Sequence, residues 1–198
     1  MENQIVVASL DGTFRAYIAR PKALPAPAVV VLQELFGVND DIRKTCDELA
    51  EQGLIAVAPD LFWRQEPGVD LSVTSEPDWQ HGLRLYQAYD RDAGATDVKD
   101  TANAVAKLPD CTGKVAVLGY CLGALMTYLT AVRYGVDAAV AYHGGGRGGR
   151  VHFQARASRD QNGARRQTKR ESLQLSGSAS RLRSAQWGAL QRRSGSTR

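Results

Sequence analysis

Long apolar runs are missing from this 198-residue chain. The best, Ala26 to Leu32, is far short of the roughly 18 residues of a membrane span and suits a buried strand instead. Met1 to Ser9 holds no positive cluster followed by an apolar stretch, so no secretory signal is read there. Cysteine is scarce: Cys46, Cys111 and Cys121 are odd in number and lack metal-site spacing, which excludes a disulfide framework and a zinc module. A cytoplasmic protein with free thiols is the expectation. Histidine is just as scarce, with His81, His143 and His152 only. No internal repeat is present.

What is there is unevenly spread. The net charge is +4 and the isoelectric point about 9.1. Residues 1–146 nevertheless carry 12 basic and 19 acidic side chains, whereas residues 147–198 carry 13 basic and 2 acidic. Only 7 of those last 52 residues are large and apolar. The pattern reads as an acidic folded body, 1–146, joined to a basic tail, 147–198, too poor in apolar residues to bury a core. A nucleic-acid-binding arm on an inactive body is the competing reading of that tail. Its arginine-rich composition has few aromatics and no recognised motif, so nucleic acid is not the expected partner.

Within the body, Ile5 to Ala8 and Phe14 to Ile18 flank Asp11-Gly12 as a hairpin. Ala28 to Leu32, Leu54 to Ala58, Lys114 to Gly119 and Ala138 to Tyr142 read as buried strands. Helices are expected after an Asn39 or Asp40 cap, over Asp78 to Asp90, over Thr96 to Lys107 and over Leu122 to Tyr134. The stretch Leu61 to Pro77 reads as a loop. Strands alternating with helices imply an α/β fold with a doubly wound, mostly parallel sheet.

The strongest chemical signal is Gly119-Tyr120-Cys121-Leu122-Gly123, where a buried strand meets an apolar helix. This is the G-x-nucleophile-x-G elbow of the α/β-hydrolase fold, with cysteine as the nucleophile. Flanking glycines relieve the tight turn, and the helix amino terminus favours a thiolate. The Leu122 N–H then points toward a developing oxyanion. A buried structural cysteine in a glycine-rich turn is the plainer alternative, which the strand–turn–helix context disfavours. Just past the first buried strand, Gln33-Glu34-Leu35-Phe36-Gly37 is placed to supply a second oxyanion N–H from Leu35. It also offers a carboxylate, Glu34, to control the protonation of the thiol; a solvated charge is the alternative for Glu34.

Together with Ala58-Pro59-Asp60-Leu61 and Arg64-Gln65-x-Pro67-Gly68, these segments resemble the dienelactone hydrolase (carboxymethylenebutenolidase) family over about residues 5–143. The resemblance implies Cys121 as nucleophile and Glu34 as its resting partner, with an aspartate and a histidine from later loops. It implies opening of an enol-lactone through an acyl-cysteine, acting on a small-molecule lactone or ester with no metal, cofactor or membrane.

The chain departs from the family pattern twice. Better-known members place a substrate-carboxylate arginine where this chain has Trp79, and Arg84 lies nearby on a different register. What carries over is therefore a lactone or ester hydrolase, of dienelactone type or related. No motif for the catalytic aspartate or histidine is found either. His81 precedes the elbow in an expected helix, His143 ends a strand, and His152 lacks a matching context. Read one base later, the tail from Leu175-Ser176 permits a run resembling the family's histidine segment, with the histidine codon across Ser180-Arg181. Gly149 to Phe153 permits one resembling the aspartate segment, though too early by about twenty residues, a loop plus a strand. The expectation is a hydrolase fold incomplete at its C-terminus, frame-shifted near Gly144 to Gly149, with little turnover in the chain as given.

Overall fold

The structure, a computed structural model, describes residues 3–142. The tail 147–198, its proposed change of frame, His143 and His152 lie outside the described residues. Among those described, six strands form one sheet in the order β1-β2-β4-β3-β5-β6. They are β1 (Gln4–Ser9), β2 (Gly12–Ala19), β3 (Ala26–Leu32), β4 (Ile55–Pro59), β5 (Cys111–Tyr120) and β6 (Ala138–Tyr142). β1 and β2 form the expected hairpin, Ser9 facing Gly12, and β2 runs antiparallel to β4. The β4–β3, β3–β5 and β5–β6 pairs are parallel.

The central strands have no polar face, for a simple reason. Val30 and Leu32 point into the core shared with Val98, Val105, Leu122 and Met126. Val29 and Val31, one residue out of step, point the other way onto Ile42, Cys46 and Leu49. A strand covered by helices on both faces must be apolar at every position, which is why these segments lack alternation. Helix α1 (Asp40–Glu51) covers one face; α3 (Arg91–Ala106) and α4 (Leu122–Arg133) cover the other. The Asn39 side chain caps α1 by accepting from Ile42 N–H at 3.2 Å, and Gly53 follows its end at φ 89°.

Helix α2 (Glu76–Gln87) is capped by Ser75 and follows the loop as expected. Helix α3 starts five residues earlier than its apolar spacing suggested, at Arg91 instead of Thr96. Asp90 caps it, accepting from Asp92 and Ala93 N–H at 2.9 and 3.0 Å. Gly94 belongs to that first turn because any side chain there would meet the Tyr89 hydroxyl, 2.1 Å from a Cβ.

A buried charge locks the hairpin to this layer. The Asp97 side chain is 1% exposed and pairs with Arg64. Asp97 also accepts from Trp63 Nε1 at 2.9 Å and Ser9 Oγ at 3.0 Å. Arg64 continues to Asp11 at 2.6 Å, and its guanidinium lies 4.2 Å from the Trp63 ring centre. Removing Asp97 leaves Trp63 Nε1 without an acceptor and Arg64 short of a partner, while Ser9 Oγ keeps its bond to Asp100 at 3.0 Å. Asp97→Ala is expected to destabilise the protein by about 3 kcal/mol, the low end for a broken buried pair because Arg64 keeps Asp11. Urea unfolding checks this; a loss within experimental error would mean the network is energetically idle.

Candidate active site

Cys121 follows β5 directly and opens α4 with φ 51° and ψ −108°. It is the one non-glycine residue at positive φ among the described residues. Such a backbone is strained for an L-residue and persists only where the surroundings force it. They do so through the two glycines. A Cβ at Gly119 would lie 2.1 Å from the Gly123 carbonyl oxygen, and one at Gly123 would lie 2.5 Å from the Leu32 carbonyl oxygen. Both obstacles are backbone, with no flexible side chain to move aside. Gly123→Ala is therefore expected to cost about 3 kcal/mol, at the upper end for overpacking, and to slow Cys121 chemistry with it. Thermal unfolding and thiol labelling of the variant check both parts.

The elbow is tied on both sides. Cys121 N–H donates to the Tyr142 carbonyl at 3.1 Å, and Gly123 N–H donates to the Gln33 carbonyl at 3.0 Å. The second bond fastens the segment after β3 to the elbow, so that Glu34 and Leu35 follow directly from the contact. The Glu34 charge acts on the Cys121 thiol, and the Leu122 N–H donates to it. Leu35 is buried, and α2 presses on it from above: a Cβ at Gly82 would fall 2.3 Å from the Leu35 carbonyl oxygen. Beside it, the Phe36 and Trp79 rings meet at 5.7 Å between centres. Gly37, at φ 77°, pairs with Asp70 across a β-bridge, closing the segment against the loop.

The charge state of the thiol differs from the expectation of a thiolate. Burial, then the Glu34 carboxylate, push the Cys121 thiol up from 9.0 to about 11, against a smaller opposing effect of the Leu122 N–H. Tertiary surroundings outweigh the helix end, and the resting group is a neutral thiol.

Other expected residues fall into place without joining the centre. Asp60 directly follows β4 and shapes the loop, accepting from Phe62 N–H at 3.0 Å and Gly68 N–H at 2.7 Å. Burial raises its carboxyl despite those two bonds. His81 lies on α2 with Nε2 2.8 Å from Glu66, a link between helix and loop. Arg84 is exposed on the same helix. Among the described residues no cluster of side chains is suited to a metal ion, and no helix is long and apolar enough to cross a membrane. Sequence reasoning passed over Gln33 as a structural element. Its one signal was a polar residue extending a fully buried apolar run.

A mostly parallel sheet, a strained nucleophile elbow at the end of a central strand and a loop from the neighbouring strand beside it define an α/β hydrolase. Among solved structures, a Klebsiella pneumoniae protein assigned to the dienelactone hydrolases superposes with a TM-score of 0.61 at 26% identity, over 78% of this chain and 65% of that one. A dienelactone hydrolase-like promiscuous phosphotriesterase from metagenomic libraries superposes at 0.59 and 23% identity, over 72% and 58%, which speaks for the fold alone. The dienelactone hydrolase family model matches residues 14–169, and the chain belongs to that family. Carboxymethylenebutenolidase of Pseudomonas putida is 41% identical over 143 residues, 72% of this chain. The match spans 61% of the Pseudomonas protein's length.

Proposed function

We propose that the protein is a cysteine hydrolase that opens an enol-lactone of dienelactone type or cleaves a related carboxylic ester. The observation that supports it best is Cys121 at positive φ, with the Leu122 N–H on its sulfur and the Glu34 charge beside it. In the first step the sulfur forms a bond to the carbonyl carbon and the C–O bond to the leaving oxygen breaks. The thiol proton passes to the Glu34 carboxylate, the ionisable neighbour, and from there to the leaving oxygen. The oxyanion formed in between is assigned to the N–H groups of Leu122 and Leu35. In the second step water attacks the acyl carbon, the C–S bond breaks, and the thiol is restored with release of the acid.

That second step needs a base to activate water. The single histidine among the described residues, His81, is engaged with Glu66. The aspartate and histidine that the family resemblance implies have no assigned position here. We therefore infer acylation followed by slow release. Purified chain mixed with a p-nitrophenyl ester is expected to liberate about one equivalent of phenolate and then nearly stop, as an accumulating acyl-enzyme does. Sustained turnover lost in Cys121→Ser would support the hydrolase and overturn the impairment. No Cys121-dependent release at all would overturn the hydrolase.

A further inference from the structure

Gln33 is fully buried, yet it is polar, and both of its oxygens are committed to different neighbours. Its main-chain carbonyl accepts from Gly123 N–H at 3.0 Å, on the nucleophile elbow. Its side-chain Oε1 accepts from Leu61 N–H at 3.1 Å, just beyond the end of β4. In the sheet, β3 lies between β4 and β5. One residue thus joins the exits of three adjacent strands at the edge where the thiol stands. Its Nε2 is buried with no hydrogen-bond partner among the described residues. A buried donor left unpaired is unfavourable, and an apolar side chain of the same length would avoid it. The position therefore uses the acceptor oxygen and tolerates the nitrogen.

We propose that Gln33 is a positioning residue: by clamping β3 to the elbow and to the exit of β4, it holds the Glu34 carboxyl and the Leu35 amide against Cys121. It acts through Glu34 and has no contact with substrate in this account. The inference rests on Cys121 being the reactive group of the proposed hydrolase. Glu34 and Leu35 are the next two residues of the chain, so a shift of the clamp moves both. The Glu34 charge on the thiol is the sensitive reporter of that placement.

The test follows alkylation of Cys121 by iodoacetamide against pH, in the full-length chain. Labelled peptides separate Cys121 from Cys46 and Cys111. Gln33→Met keeps the length and the main-chain bond to Gly123 but loses the side-chain bond to Leu61, so its profile is expected to move to lower pH, in the direction of Glu34→Gln. At pH 8 labelling should be at least about twofold faster, a gain set by the thiolate fraction less the weaker nucleophilicity. In a Glu34→Gln background Gln33→Met should add nothing. A profile that stays at the wild-type midpoint, or one that shifts equally without Glu34, overturns the proposal. Gln33→Glu guards against a failure of the methionine variant to fold. It keeps an acceptor for Leu61 and, neutral or charged, does nothing to relieve the Glu34 charge on the thiol, so faster labelling in that variant also overturns the proposal. Ester acylation reports separately: shifted labelling without any acylation would leave the clamp standing and remove the hydrolase.

Discussion

Replacing Cys121 by alanine is expected to abolish the phenolate burst and slow ester cleavage by about four orders of magnitude or more, to the level of the buffer. Loss of a nucleophile removes the covalent route entirely, and effects of this size are typical of such residues. The fold should survive the change, because alanine at this position keeps a Cβ on the same strained backbone and gives up only the sulfur. Circular dichroism and the urea midpoint check that the loss is chemical. The serine variant distinguishes further. Its hydroxyl is the weaker nucleophile at neutral pH, and a neighbouring carboxylate is too weak a base to ionise an alcohol, so it should be nearly as inert. Activity retained in Cys121→Ala would mean that the elbow is a structural turn and that any hydrolysis arises elsewhere.

The second large effect belongs to Glu34. The thiol titrates near 11 because burial and the neighbouring carboxylate both oppose the thiolate. Glu34→Gln removes the second cause and leaves the first, so the value falls part of the way toward 9.0. At pH 7.5, below either value, the thiolate fraction gains about tenfold for each unit the thiol falls. Its intrinsic nucleophilicity drops about threefold over the same interval. Iodoacetamide should therefore label Cys121 about threefold faster per unit, with the order reversing above pH 11, where both thiols are ionised and only the weaker nucleophilicity of the variant remains. Ester acylation need not follow the same trend, because the carboxylate that holds the proton is also the group suited to take it. Faster labelling together with slower acylation would separate these two roles. An unchanged labelling profile would place Glu34 outside the site.

The elbow was legible in sequence because its physics is local. Two glycines four residues apart, between an apolar strand and an apolar helix, have few other uses, and the backbone clashes at Gly119 and Gly123 show why. The buried strands were legible for the same reason, since a run without polar alternation can only be covered on both faces. Helix α3 was placed too late because its apolar spacing begins only at Val98, whereas the Asp90 cap starts it at Arg91 and Gly94 makes room for Tyr89 in the first turn. The charge on Cys121 could not be read locally at all. A helix amino terminus argued for a thiolate, but burial and Glu34 decide the matter, and both depend on how β3 packs beside β5. Gln33 was hidden by its residue type: polarity argues for a surface position until its two partners are known. The basic tail, and any aspartate and histidine that the family resemblance places after the elbow, fall on residues outside those described.

The most direct test is to quench the full-length chain seconds after mixing with p-nitrophenyl acetate and locate the acyl group by mass spectrometry of its peptides. The account predicts one acetyl group per chain, on Cys121, absent from Cys121→Ala and removed by hydroxylamine at neutral pH as a thioester is. Acetyl groups scattered over lysines, or none on Cys121 while phenolate is released, would contradict it.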